Sequence, residues 1–256
     1  MSEGDLAATN LLAQLLMTDN ENAEAVKVLK LAATKNPEDK TLMLRLGRAE
    51  MAAGQNLEGT ATLTALLQDS TDAEILNDAA YELADANSEM DLAEKSCRKA
   101  LDILTTESAA WTLDGDAKTQ AAKSTLLVAT WDTMGWILFH EGNLDEAEGY
   151  VQAAWRNNSH SEVGLHLGEI EEARGNRQSA LTLYHLAQLS QPTGPNGTSL
   201  IPQQVNTELK RRADALLQRG FKYSSKEEEE QLGKLKRLRA DDSDHESGMA
   251  DYEILL

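Results

Sequence analysis

Along most of the chain apolar residues recur every three or four positions, as they do on one face of an α-helix. Leu12, Leu15 and Leu16 mark one such face, and Ala25, Leu29 and Ala32 the next. Leu46 and Gly47 belong to a third, and Gly59, Leu63 and Leu66 to a fourth. Ala80, Ala84, Ala93, Cys97 and Ala100 continue the pattern, with few large side chains in its first half. Gly54, Gly142 and Gly175 stand between faces, where a helix C-terminus turns through φ > 0. The pattern predicts an all-α chain built from helix pairs. Only Ala250 to Leu256 alternates instead, as a lone β-strand would, and points to a truncated β element.

The pairs repeat. Trp131, Met134, Gly135, Leu138, Gly142, Ala147, Val151 and Ala154 recur in phase as Gly164, Leu167, Gly168, Glu171, Gly175, Ala180, Tyr184 and Ala187, and Pro192 closes the second copy. Ala147 is the small residue where the two helices of a unit cross, and Ala25, Gly59 and Ala93 are its equivalents at a spacing of about 34 residues. Backbones approach that closely only over Gly, Ala or Ser. The run Trp131-x2-Met134-Gly135-x2-Leu138, followed by Gly142-Asn143-Leu144-Asp145-Glu146-Ala147, resembles the tetratricopeptide repeat signature.

That resemblance implies an α-solenoid, a right-handed superhelix of about five helix-turn-helix repeats. The repeats fall at about 6–37, 40–71, 74–105, 128–159 and 161–192. A capping helix at 203–219, with Val205, Leu209, Ala213, Leu216 and Leu217 on one face, covers the last apolar surface. Residues 1–220 are then the solenoid and 221–256 a charged C-terminal extension. The turn residues of 193–199 predict a loop, and 226–239 reads as a charged helix or as disordered chain. Residues 106–127 interrupt the phase. They read either as helices extended on both sides of an Asp114-Gly115-Asp116 turn, to about Trp111 and from about Ala117, or as a simple loop insertion.

Charge narrows the partners. A formal net charge of −19 opposes nucleic acid and anionic membrane surfaces. The low aromatic share, 4%, and the abundance of Ala and Leu favour packed helices over a β-sandwich. No run of about 18 apolar residues is present, so no membrane insertion is expected. Glu3 and Asp5 stand where a signal peptide needs basic residues, which predicts a soluble chain without a visible export signal. The compartment is not legible.

Candidate chemistry is sparse. Cys97, the single cysteine, falls on a packing position and lacks the exposed, electropositive setting a nucleophile needs. The five histidines show no metal-binding spacing, so neither metal nor cofactor is expected. No catalytic residue is assigned and the chain is expected not to be an enzyme. Tetratricopeptide repeats bind ligands along the first helix of each pair. Carried over by phase, that groove comprises Asn10, Gln14, Met17, Leu44, Arg48, Met51, Asp78, Glu82, Asp85, Asp132, Trp136, Phe139, His140, Leu165, Glu169 and Glu172. Apolar anchors among carboxylates suit a basic, amphipathic peptide. The other reading makes Trp136 and Phe139 inter-repeat core and the acids a solvated face. The family's clamp for a C-terminal carboxylate is not expected, because Asn10 stands where Lys is needed and repeat three offers acids.

Asp132-Thr133-Met134-Gly135-Trp136, Ala153-Ala154-Trp155 and Gly164-x-His166-Leu167-Gly168 also resemble the C-terminal repeats of bacterial exported proteins with a transglutaminase-like domain, over roughly 70–256. That likeness implies a periplasmic or exported location if the chain is a fragment. The first expectation is a non-catalytic scaffold that binds a protein or peptide. The alternative is the scaffold region of a transglutaminase-like enzyme whose catalytic domain lies elsewhere. Self-association into a homo-oligomer is a third.

Overall fold

The computed structural model describes residues 3–112, 114–190, 203–223, 225–226 and 230. The expected loop at 193–199, most of the charged stretch at 226–239 and the strand at 250–256 lie outside them. The described residues form eleven α-helices and no strand. They are α1 (Glu3–Thr18), α2 (Asn22–Lys35), α3 (Lys40–Ala52), α4 (Asn56–Gln68), α5 (Ala73–Asp85), α6 (Met90–Ser108), α7 (Ala117–His140), α8 (Leu144–Asn157), α9 (Ser161–Ala173), α10 (Arg177–Leu189) and α11 (Gln203–Gln218). The chain divides into two compact units, Met1–Ala154 and Trp155–Leu256.

Helix starts and stops have local causes. Asp39, Asp72 and Asp116 precede α3, α5 and α7, and each carboxylate accepts a first-turn amide, Leu42 N–H in the first case at 2.9 Å. The turns inside pairs share one pattern. Gly142 (φ 82°) donates to the Phe139 carbonyl and Asn143 to that of Leu138, and Gly175 (φ 87°) and Asn176 repeat this with Glu172 and Glu171. Asn20 and Asn87 adopt the same left-handed conformation and close the same two bonds. Residues 106–127 are taken up mostly as helix. α7 starts at Ala117 as expected, while α6 stops at Ser108, three residues short of Trp111.

In the first unit α1, α3 and α5 each pack on the helix that follows and on the next odd-numbered one. Small residues sit at the crossings. A Cβ on Gly47 would overlap the Leu63 side chain, and one on Gly135 would overlap Val151 and crowd the Ala147 carbonyl. Around these points Ala25, Leu29, Leu42, Leu63, Leu83, Ala93, Cys97, Met134 and Ile137 are buried. Cys97 donates to the Thr130 carbonyl at 3.5 Å, and burial pushes its thiol well above the ordinary range, as befits a packing residue.

In the second unit α9 packs on α10 and both pack on α11. Gly168 abuts the Tyr184 ring so closely that a Cβ there would overlap it. Ile170, Ala180, Leu181, Tyr184 and Leu186 form the core, and α11 adds Val205, Leu209, Ala213 and Leu216. Full burial of each large side chain is worth about 1.5–3 kcal/mol. α11 therefore covers the apolar end of this unit, the work expected of a capping helix.

Candidate functional site

The first helix of each pair supplies the candidate residues, and the ion pairs report which way they point. Arg48 on α3 donates through Nε to Glu82 Oε1 at 2.7 Å and through Nη2 to Asp78 Oδ2 at 3.1 Å, both on α5. Arg48 of α3 thus meets Asp78 and Glu82 of α5 on one side of the first unit. Burial works against the Arg48 charge, yet Glu82 and Asp78 hold its pKa above the ordinary value. Burial raises the Glu82 carboxyl, and the neighbouring Arg48 only partly offsets it. One arginine faces two carboxylates, which leaves a negative surplus. Met51, half-buried on α3, is a packing residue instead, since its side chain lies in the α3–α4 crossing where a Cβ on Gly59 would overlap it. Asp85 is exposed at the end of α5.

α7 contributes an aromatic group. Trp136 and Phe139 stack with ring centroids 5.1 Å apart, and His140 stands edge-on to Trp136 at 4.7 Å. Trp136 itself is only 6% exposed, so it acts first as core, while Phe139 and His140 are half-buried. Asp132 and Leu44 are buried as well. Of the candidate residues on α7, only Phe139 and His140 are therefore partly exposed.

In the second unit Leu165 is buried and Glu169 is already engaged. Arg212 of α11 pairs with Glu169 at 2.6 Å, with Glu172 at 3.2 Å and with Glu208 of its own helix at 2.9 Å. The Tyr184 hydroxyl donates to Glu172 Oε2 at 3.0 Å, and burial raises its pKa well above the ordinary value. Burial likewise raises the Glu169 carboxyl, with Arg212 acting in the opposite sense. Nothing in the spacing of Arg212 foretold this clamp, because it depends on where α11 docks.

A second charged group was also missed. The Glu50 carboxylate is buried on α3, where Lys30 of α2 reaches it at 2.9 Å and the Thr62 hydroxyl of α4 donates to it at 2.7 Å. Lys30 also donates to Gln55 Oε1 at 3.4 Å. Glu50 falls on the apolar stripe of α3, and an acid inside such a stripe is the one sequence signal of a buried pair. Among the described residues no group of three or more His, Cys, Asp or Glu could hold a metal ion, and no helix is long and apolar enough to cross a membrane.

No family model matches the sequence, and no curated protein does either. Solved structures do. TTC0263, a thermophilic TPR protein of Thermus thermophilus, superposes with a TM-score of 0.53 at 19% identity over 82% of this chain and 98% of that one. The pilF protein of Pseudomonas aeruginosa does so with a TM-score of 0.53 at 15% identity, over 89% of this chain and 96% of that one. With the paired helices and their repeated turns, this likeness gives the chain the tetratricopeptide repeat fold.

Proposed function

We propose that the chain is a non-catalytic scaffold that binds a basic, amphipathic peptide or partner helix along the face shared by α1, α3, α5 and α7. The observation that carries this reading is the bridge from Arg48 to Asp78 and Glu82, which supports placing successive first-helix positions on one side. The surplus carboxylate attracts a cation, Asp85 adds rim charge, and Phe139 gives apolar contact. Rim charges steer association more than they add affinity, so the apolar contact carries most of the binding.

The test is fluorescence anisotropy with a labelled amphipathic Leu/Lys helical peptide and a Leu/Glu control. Saturable binding of the first alone, weakened about tenfold (about 1.4 kcal/mol) by Phe139→Ala and less by Asp85→Lys, is expected. Equal binding by wild type and both variants would remove this face from consideration. A second copy of the chain as ligand would appear as a concentration-dependent mass in light scattering. The alternative of a scaffold region serving a transglutaminase-like catalytic domain rests on sequence resemblance alone.

A further inference from the structure

Between α4 and the α5–α6 turn lies an open cleft of about 520 Å³, away from the face described above. Asn56, Leu57, Thr60, Ala61 and Thr64 line it from α4, and Ala86, Asn87, Ser88 and Glu89 from the turn. Its origin is visible in the repeat phase. Ala25, Gly59 and Ala93 are the matched buried crossing residues of α2, α4 and α6. Counting from them, Thr64 occupies the place of Lys30 on α2 and of Arg98 on α6. Lys30 reaches Glu50 and Gln55 on either side of the turn that follows, between α3 and α4. Arg98 is held by Glu94 at 2.6 Å, and Glu141 at the following turn lies within its field. Only α4 has a short side chain where its neighbours carry a cation.

The turn differs too. Residues 86–89 join α5 to α6, one more than the 53–55 that join α3 to α4. Gln55, the N-cap of α4 that meets Lys30, is matched by Glu89, the N-cap of α6. Glu89 is held in the left-handed region at φ 48°, a conformation a glutamate adopts only under constraint. Its carboxylate has no partner among the described residues. Thr64 Oγ1 is buried at the cleft with no hydrogen-bond partner. Leu57, 87% exposed, forms an apolar rim. Each of these groups is what an alkylammonium side chain needs: an apolar shelf for the stem, then a hydroxyl and a carboxylate for the head.

We infer that this cleft receives a lysine side chain from a partner protein, in the place Lys30 fills from within the chain one repeat earlier. The ammonium donates to Glu89 and Thr64 Oγ1, and the stem lies on Leu57. The inference is independent of binding along the α1, α3, α5, α7 face, because none of the cleft residues belongs to it.

The probe is the peptide acetyl-Gly-Lys-Gly-amide, titrated into the ¹⁵N-labelled full chain, with the Nε-acetylated lysine peptide as control. Saturable shifts of the Thr60, Thr64, Asn87 and Ser88 amides with the lysine peptide alone are expected. Thr64→Lys supplies the cation internally and should abolish those shifts. Glu89→Gln, at an exposed position, should weaken binding about tenfold with the fold intact, so the test holds even if Thr64→Lys misfolds. Shifts scattered over the acidic surface, equal response to the acetylated peptide, or saturation unchanged in Glu89→Gln would each overturn the assignment.

Discussion

Each compact unit carries one arginine set against carboxylates of a neighbouring helix, and the two differ in where that arginine comes from. In the first unit Arg48 belongs to a repeat helix and reaches forward to Asp78 and Glu82. In the second Arg212 belongs to α11, the end helix, and reaches back to Glu169 and Glu172 while holding Glu208. Arg48 stitches two repeats together. Arg212 gathers three carboxylates under a helix that also buries Val205, Leu209, Ala213 and Leu216. The same ion-pair chemistry joins repeats in one place and fastens a cap in the other.

Removing each arginine measures the difference. Arg212→Met leaves Glu169, Glu172 and Glu208 gathered without their shared cation and should destabilise the second unit by about 2–3 kcal/mol in urea unfolding. A loss below about 1 kcal/mol would mean that apolar burial alone holds α11. Gly168→Ala, which drives a methyl into the fully buried Tyr184 ring, should cost about 2 kcal/mol. Gly47→Ala should cost about as much, since the Leu63 side chain it meets is itself fully buried. A clearly smaller loss in thermal melts would show that the first unit is the looser packed. Arg48→Met should cost about 1 kcal/mol or less, because this bridge is more exposed than the Arg212 clamp.

The smallest effect is in pH. Burial raises the Glu82 and Glu169 carboxyls above the ordinary value of 4.5. The folded chain then keeps protons that the unfolded chain has released, so stability from these two groups falls as pH rises from 4.5 through the raised values. Glu208 works in the other direction. Its hydrogen bond from Arg211 lowers its pKa, and its contribution is lost as pH falls through the lowered value. Glu82→Gln and Glu169→Gln should each flatten the stability profile just above pH 4.5. An unchanged profile in both would show that neither carboxyl is desolvated enough to matter.

Local signals carried most of the fold. Gly142 and Gly175 marked their turns because a left-handed residue is needed there, and Gly59, an equivalent of Ala147, marked a crossing that a Cβ would crowd. The turns at Asn20 and Asn87 were harder to see, since asparagine stands where glycine does elsewhere. The extra residue at 86–89 sets α5 one position out of the 34-residue spacing that aligns Gly59 with Ala93, a shift the sequence pattern did not show.

The candidate site was legible in part. Arg48, Asp78 and Glu82 do converge, yet as partners of one another. Trp136 carried two readings and proves buried, a matter decided by neighbours that periodicity does not identify. The Arg212 clamp and the Lys30–Glu50 pair join separate helices and leave almost no trace in spacing. Long-range charge pairing depends on docking geometry, which a one-dimensional pattern does not encode.

The repeated turn has a kinetic consequence. Each pair is closed by two backbone bonds between residues only three and five positions apart, as Gly142 to Phe139 and Asn143 to Leu138 show. Ordering so short a loop costs little entropy, and the helices it joins can meet without a long search. Individual helices form in about a microsecond. Early folding should therefore proceed as several independent hairpin closures, and a substitution at one turn should slow one closure while leaving the others at their own rates.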